Sequence, residues 1–326
     1  MVTYWDKYPQ IQENLSEVKQ CINQQLKIQN QPIREALIRF SESGGKLLRP
    51  AFFLLFSYLG TQENLEHQRR IKMASSLEIL HMASLIHDDI IDDSPLRRNT
   101  ITVQAQFGKD IAVYTGDLLF TEFFNLLIET MTEKRFLELN AKTMKALLLG
   151  ELNQMHFRFN QKADINAYFR SIKGKTAELF SLACLEGCAF AKMDAEAQFT
   201  AQRIGRNVGM AFQIYDDILD YVGNTKIIKK PILEDLAQGI YTLPLLVVLK
   251  THPEAVSPLL NKGHRLTTQD AEKIAQSVIE FGGIDNAKQI ARALTDNALR
   301  LLEKFPESSA KSDLKQLIND LLIRPY

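Results

Sequence analysis

Between Pro95 and Pro231 the chain contains no proline, and apolar residues recur at steps of three and four. Leu147, Leu148, Leu152 and Met155 form one such run; Leu179, Leu182, Ala183 and Cys184, continued by Ala189 and Phe190, form another. This period and the abundance of Leu, Ala, Glu, Phe and Met predict long helices. Breaks are expected at Gly44-Gly45, near Gly60-Thr61, at Ser94-Pro95, near Gly223-Asn224, around Thr251 to Pro258 and near Gly282-Gly283. No alternating strand pattern occurs, and "TLPLLVVL" contains a proline and sits among helical segments. From about Gln269 the pattern predicts two or three further amphipathic helices. With no low-complexity linker, one all-α domain over 1–326 is expected.

The pattern is interrupted where a core helix ends in "LIHDDIIDDSPLRR". On a helix Asp88 and Asp92 are i,i+4 neighbours, and Asp89 and Asp92 are i,i+3. Like charges at that spacing repel, and burying them unpaired costs far more, so the cluster calls for a cation. "QIYDDILDYVG" repeats the device with Asp216, Asp217 and Asp220. Two apolar helices each ending in three carboxylates would, facing each other, form one anionic cavity. Hard oxygen ligands of this kind suit Mg²⁺, whose shell is completed by water and substrate phosphates.

Charge narrows the partners. The 39 basic and 39 acidic residues cancel, so composition gives no support to nucleic-acid binding. The N-terminal MVTYWDKYPQ is unlike a signal peptide, and the longest apolar run, from Ala51, is too short to cross a bilayer. A soluble cytoplasmic protein is expected. Cys21, Cys184 and Cys188 make neither a disulfide framework nor a zinc pattern.

Cations flank the acidic clusters. In "GGKLLRP" two glycines permit close backbone approach, Pro50 suits a first helical turn, and Lys46 and Arg49 stand where helix N–H groups favour an anion. "KGKTAELF" supplies Lys173, Lys175 and Thr176, "SPLRR" supplies Arg97 and Arg98, and "KKP" supplies Lys229 and Lys230. A diphosphate could be held by Mg²⁺ on some oxygens and by these cations on others.

In this order, "GGKLLRP", "DDIID", "LRR", "GELNQ", "KTA", "QIYDD", "DDILD" and "TLPL" resemble the trans-polyprenyl diphosphate synthases over nearly the whole chain. "HMASLIHDDIIDD" and "VYTGDLLF" look most like the catalytic component of heterodimeric heptaprenyl diphosphate synthases. The resemblance implies an all-α isoprenoid-synthase bundle around a central cavity. It implies condensation of isopentenyl diphosphate onto an allylic diphosphate, with farnesyl diphosphate the expected primer and two or three Mg²⁺. It assigns Asp88, Asp89, Asp92, Asp216 and Asp217 to metal and allylic diphosphate, with Asp220 acting through water. It places Lys46, Arg49, His81 and Arg98 on isopentenyl diphosphate. Arg97, Lys175 and Lys230 fall on the allylic diphosphate, and Thr176 and Gln213 beside the reacting centre. It implies a homodimer, or a heterodimer with a small motif-free subunit, touching membranes at most peripherally for product release.

Three positions depart from the family pattern. Asn99 replaces a glycine after "RR", Lys229 replaces a glycine before Lys230, and Ile240 stands where many shorter-chain members carry lysine. Product length is expected to follow the helix before Asp88. Ala83 and Ser84 are small where the family's short-chain members carry aromatics, and Leu80, Leu77, Ser76 and Met73 lie deeper, with Phe120, Phe123 and Phe124 as further floor residues. About six or seven isoprene units are expected from one unit per 5.4 Å turn. A farnesyl or geranylgeranyl synthase, or a non-catalytic subunit of a synthase, are the alternatives. His87 reads as a structural hydrogen-bonding residue. Glu78 and His81 form one Glu-x-x-His pair, whereas a di-iron bundle needs two. A terpene cyclase would carry a different second motif.

Overall fold

A computed structural model describes residues 4–43, 45–60, 66–162, 164–222 and 233–321. A 3₁₀ turn at Tyr4–Lys7 precedes α1 (Pro9–Gln25), α2 (Gln31–Glu42), α3 (Leu48–Ser57) and α4 (His67–Ile91). A hairpin of β1 (Leu96–Arg97) and β2 (Thr100–Ile101) is the one ladder among the described residues, pairing Leu96 with Ile101 and Arg97 with Thr100. Helices α5 (Val103–Phe107), α6 (Lys109–Thr130), α7 (Lys134–His156) and α8 (Ile165–Ile172) follow. A π-helical turn, Lys173–Ala177, leads directly into α9 (Glu178–Phe190), and α10 (Ala195–Val222) succeeds it. The remaining elements are α11 (Glu234–Ala237), α12 (Leu243–Thr251), α13 (Pro253–Leu260), α14 (Thr268–Glu280), α15 (Gly283–Leu302) and α16 (Ser309–Asp320). The all-α expectation holds, and "TLPLLVVL" is helical. The break near Thr251 is confined to the His252 junction, because Pro258 lies inside α13.

The chain divides into two compact units. One comprises Met1–Asn140, Ala183–Gln198 and Glu307–Leu314; the other comprises Ala141–Leu182, Phe199–Pro306 and Lys315–Tyr326. In the first, α4 is the central element and packs on α1, α3 and α6. It has no single apolar stripe, because neighbours cover it along most of its length. From Met73 to Ala83 nearly every side chain is buried. Helix α3 is buried on all sides, with Phe52, Phe53 and Phe56 inaccessible. Each such aromatic contributes roughly 1.5–3 kcal/mol on leaving water.

Helix α6 carries two apolar faces. Ala112, Thr115, Leu119, Phe123, Leu126 and Leu127 are buried, whereas Ile111, Tyr114, Phe124 and Ile128 are exposed. This helix is long and apolar enough to cross a membrane, with 39% of that window buried. The sequence reading overlooked it because Asp117 and Glu122 interrupt the apolar run. The α4-facing side identifies α6 as a core helix of this unit.

In the second unit the C-terminal part of α10 meets α8, α12, α14 and α15 around Ile172, Ile214, Ile218, Leu243, Leu245, Ile274 and Ala287. Thr267 and Asp270 form a reciprocal capping box at the start of α14. The expected C-terminal helices are α14, α15 and α16.

Candidate active site

The first acidic motif stands at a helix C-terminus, where the backbone dipole disfavours anions, and the second lies on α10, whose described residues run on to Val222. In the first unit, Asp88 and Asp89 lie in the last turn of α4 and Asp92 caps it. Asp93, Arg98 and Asn99 adopt left-handed backbone (φ 51°, 52° and 63°), which reverses the chain into the hairpin. Asparagine tolerates that conformation, so Asn99 can replace the usual glycine. The hairpin brings Arg97 Nε to Asp89 Oδ1 at 2.8 Å. Asp89 is 2% exposed and its Oδ2 is buried without a hydrogen-bond partner. Burial pushes its carboxyl up to about 6 although Arg97 opposes the shift. Asp88 and Asp92 are only partly buried. Arg97, assigned above to the allylic diphosphate, is thus held by Asp89.

Beside the same helix, Arg49, His81 and Arg98 form a cationic pocket. Arg49 is lowered to about 10, first by burial, with Glu78 opposing and Arg98 reinforcing. His81 is held well below its ordinary value by burial and then by Arg49, Arg98 and Arg97, so it is neutral near pH 7. Gly45 makes room: a Cβ there would lie 2.8 Å from Arg98 Nη1. Lys46 is exposed, its Nζ 4.7 Å from the Tyr4 ring centroid.

Behind Asp88, Ala83 and Leu80 are fully buried, and Ser84 Oγ donates to the His81 carbonyl at 2.8 Å. Leu77, Ser76 and Met73 continue the buried row, and the Thr130 hydroxyl of α6 meets Met73 Sδ at 3.3 Å. Phe123 is buried, but Phe124 is 38% exposed on the outer face of α6, so it is no part of a floor. His87 joins α4 to α6 through Asp117, 3.3 Å away, and its ring lies 5.4 Å from that of Phe120. Gly116 leaves the space for that ring: a Cβ there would lie 2.4 Å from His87 Nε2.

In the second unit the π turn sets Lys175 and Thr176. Gly150 and Gly174 allow α7 to approach this turn closely; a Cβ on Gly150 would fall 2.4 Å from Lys175 N. Lys175 Nζ donates to Glu151 Oε2 and Gln154 Oε1, both at 3.0 Å. The Thr176 hydroxyl donates to Gln213 Oε1 at 2.6 Å, and Gln213 Nε2 donates to Asp217 Oδ1 at 2.9 Å. The Tyr168 hydroxyl occupies the other oxygen, Asp217 Oδ2, at 2.5 Å. Asp217 is buried, which pushes its carboxyl up to about 7. Asp220 accepts the backbone N–H groups of Glu234 and Asp235 at the start of α11, entered through left-handed Leu233, and burial raises it to about 6. Asp216 is partly buried.

Sequence reasoning missed Tyr168 and Asp235. Asp235 is driven well above its ordinary value by burial and then by Asp217 and Asp220, so it joins the second carboxylate group. Tyr168 carries no local signal, because its partner Asp217 lies 49 residues away. Lys229 and Lys230 lie outside the described residues. Ile240 lines an apolar cleft with Gln154, Phe157, Tyr168 and Ile172.

Among the described residues no three His, Cys, Asp or Glu side chains are gathered closely enough to hold a metal ion alone. Asp88 and Asp92 nevertheless offer hard oxygens one turn apart at a partly open helix end, a donor set suited to Mg²⁺ completed by phosphate oxygens.

Residues 30–280 match the model of the family described as polyprenyl synthetase. Heptaprenyl diphosphate synthase component 2 from Geobacillus stearothermophilus is 31% identical over 95% of each chain. The crystal structure of geranylgeranyl pyrophosphate synthase from Lactobacillus brevis superposes with a TM-score of 0.92 at 38% identity, covering 98% of this chain and 99% of that one. Heptaprenyl diphosphate synthase from Staphylococcus aureus gives 0.91 at 30% identity, covering 96% and 98%. With an all-α fold and both aspartate motifs in place, the chain belongs to the polyprenyl synthetase family, the trans-polyprenyl diphosphate synthases.

Proposed function

We propose that this chain is a Mg²⁺-dependent, cytoplasmic synthase of medium to long products. It extends farnesyl diphosphate with isopentenyl diphosphate to a product of the length that its heptaprenyl relatives are named for. The observation that carries the length is the absence of Phe, Tyr and Trp from α4, along which Ala83, Leu80, Leu77, Ser76 and Met73 run back from Asp88 and are packed in this structure. Relatives named heptaprenyl diphosphate synthase support it. The shorter-chain reading is favoured by the 38% identity to a geranylgeranyl synthase.

The chemistry breaks an allylic C–O bond while charge builds on the departing diphosphate. Mg²⁺ on both motifs, when bound, supplies Lewis-acid stabilisation of that charge. Lys175 and Arg97 add point-charge and forked donors, and Lys230 is assigned the same role. Arg49, Arg98 and Lys46 hold the second diphosphate, with neutral His81 adding a hydrogen bond that costs no desolvated charge. The double bond of isopentenyl diphosphate attacks the allylic carbon, and the departing diphosphate takes the proton released. Thr176 and Gln213 fix Asp217 from one side.

The exposed apolar face of α6 supports a partner subunit, either a second copy or a small motif-free chain. Purified protein supplied with farnesyl diphosphate, isopentenyl diphosphate and Mg²⁺ should give long products, and EDTA should abolish them reversibly. Ala83→Phe should shorten the main product markedly, with little loss of first-condensation rate. Chromatography of the dephosphorylated products decides it: an unchanged distribution means the chain does not run along this face of α4.

A further inference from the structure

One carboxylate stands inside the cationic pocket. Glu78 precedes His81 by one turn on α4 and is 7% exposed. Burial pushes its carboxyl up, while Arg49 and Arg98 pull it down most strongly among its neighbours. The effect is mutual, because Glu78 is what supports the charge on partly buried Arg49. Glu78 Oε1 and Arg98 Nη1 lie 3.7 and 2.8 Å from the point a Cβ on Gly45 would occupy, so the missing side chain lets both groups share that corner. Glu78 Oε2 is buried with no hydrogen-bond partner. An orphan carboxylate oxygen is costly to bury, and a position needing only packing would be apolar.

We propose that Glu78 is a positioning residue for the second-substrate diphosphate: its carboxylate is the built-in counter-ion of Arg49 and Arg98 and limits how tightly they hold that anion. This rests on the function proposed above and supplies a reason for the limit. In each elongation the diphosphate of isopentenyl diphosphate becomes the diphosphate of the lengthened product. It must leave the arginines before the next molecule can bind. A pocket with uncompensated guanidinium groups would retain it.

Glu78→Gln keeps the volume and removes the charge, Glu78→Asp keeps the charge, and Glu78→Ala repeats the neutralisation without an amide. Inorganic diphosphate is titrated calorimetrically into each purified protein in EDTA, so that metal at the aspartate motifs does not contribute. The neutral variants should bind at least about fivefold more tightly than the parent, as expected for removing one nearby unit charge, and Glu78→Asp should stay close to the parent. In turnover, KM for isopentenyl diphosphate should fall with kcat, a split that a packing defect would not produce. Diphosphate binding that is unchanged or weaker in the neutral variants overturns the proposal, whatever happens to Tm. Tighter binding without any prenyl product from the parent protein would overturn the function proposed above and leave the counter-ion standing.

Discussion

The two aspartate motifs share a spelling and differ in what supports them. Asp89 is neutralised by a guanidinium carried on a hairpin eight residues later. Asp217 is clamped by two uncharged donors, Tyr168 and Gln213, and Asp220 by backbone N–H groups of α11. Charge compensation fails abruptly when its partner goes, because an ion is left alone in low dielectric. Compensation by neutral donors fails in smaller steps, since each bond contributes about 1 kcal/mol. The first motif therefore depends on one residue, and the second spreads its dependence over several.

The largest effects should be common to both motifs. Asp88→Ala and Asp216→Ala, each removing a partly exposed carboxylate, should lower turnover at least about 100-fold with little change in Tm. A near-normal rate in either variant would show that only one motif carries the leaving-group charge. Arg97→Leu comes next. It strands Asp89 and should cost about 3 kcal/mol in urea unfolding, with Asp89→Asn in the same chain restoring part of it. Tyr168→Phe should cost only about 1–2 kcal/mol, because Gln213 remains. Equal losses from Arg97→Leu and Tyr168→Phe would erase the distinction between the motifs.

The smallest expected effect is a displacement along the pH axis. The Asp217 carboxyl is raised by burial from 3.8 to about 7, so between these values the fold binds a proton that the unfolded chain has released. Its contribution to stability is complete below the unfolded value and is lost as pH rises through about 7. Tm of the metal-free protein should therefore fall across that interval. Tyr168→Phe removes a bond that favours the charged form, so it should move the falling limb to higher pH. For Asp89 the corresponding limb runs from 3.8 to about 6. A Tm that is flat between pH 5 and 8 would contradict both assignments.

What was legible in the sequence was local. Aspartates at i, i+1 and i+4, glycines before Lys46, and apolar steps of three and four all report on one helix and its ends. What was not legible required a partner far along the chain. Tyr168 finds Asp217 at a separation of 49 residues, and Lys175 finds Glu151 at 24. Asp235 reads as an ordinary acidic residue until Asp217 and Asp220 surround it electrostatically. The division into two units leaves no linker or composition shift, because α7, α9 and α10 each run from one unit into the other. Phe124 illustrates the opposite error: three phenylalanines close in sequence look alike, and helical rotation turns one of them outward.

The π turn at Lys173–Ala177 matters for anyone wishing to move this chemistry elsewhere. Each residue of an α-helix advances the side chains by about 100°, so one residue more or less redirects everything downstream. Grafting Lys175 and Thr176 onto a straight helix would copy the letters and lose the aim. A single-residue deletion that let the segment relax to regular helix would look harmless in an alignment and preserve helicity by circular dichroism. It would nevertheless swing Thr176 away from Gln213. The heritable unit at this point is a backbone hydrogen-bond pattern, and the glycine pair at 150 and 174 is what leaves room for it.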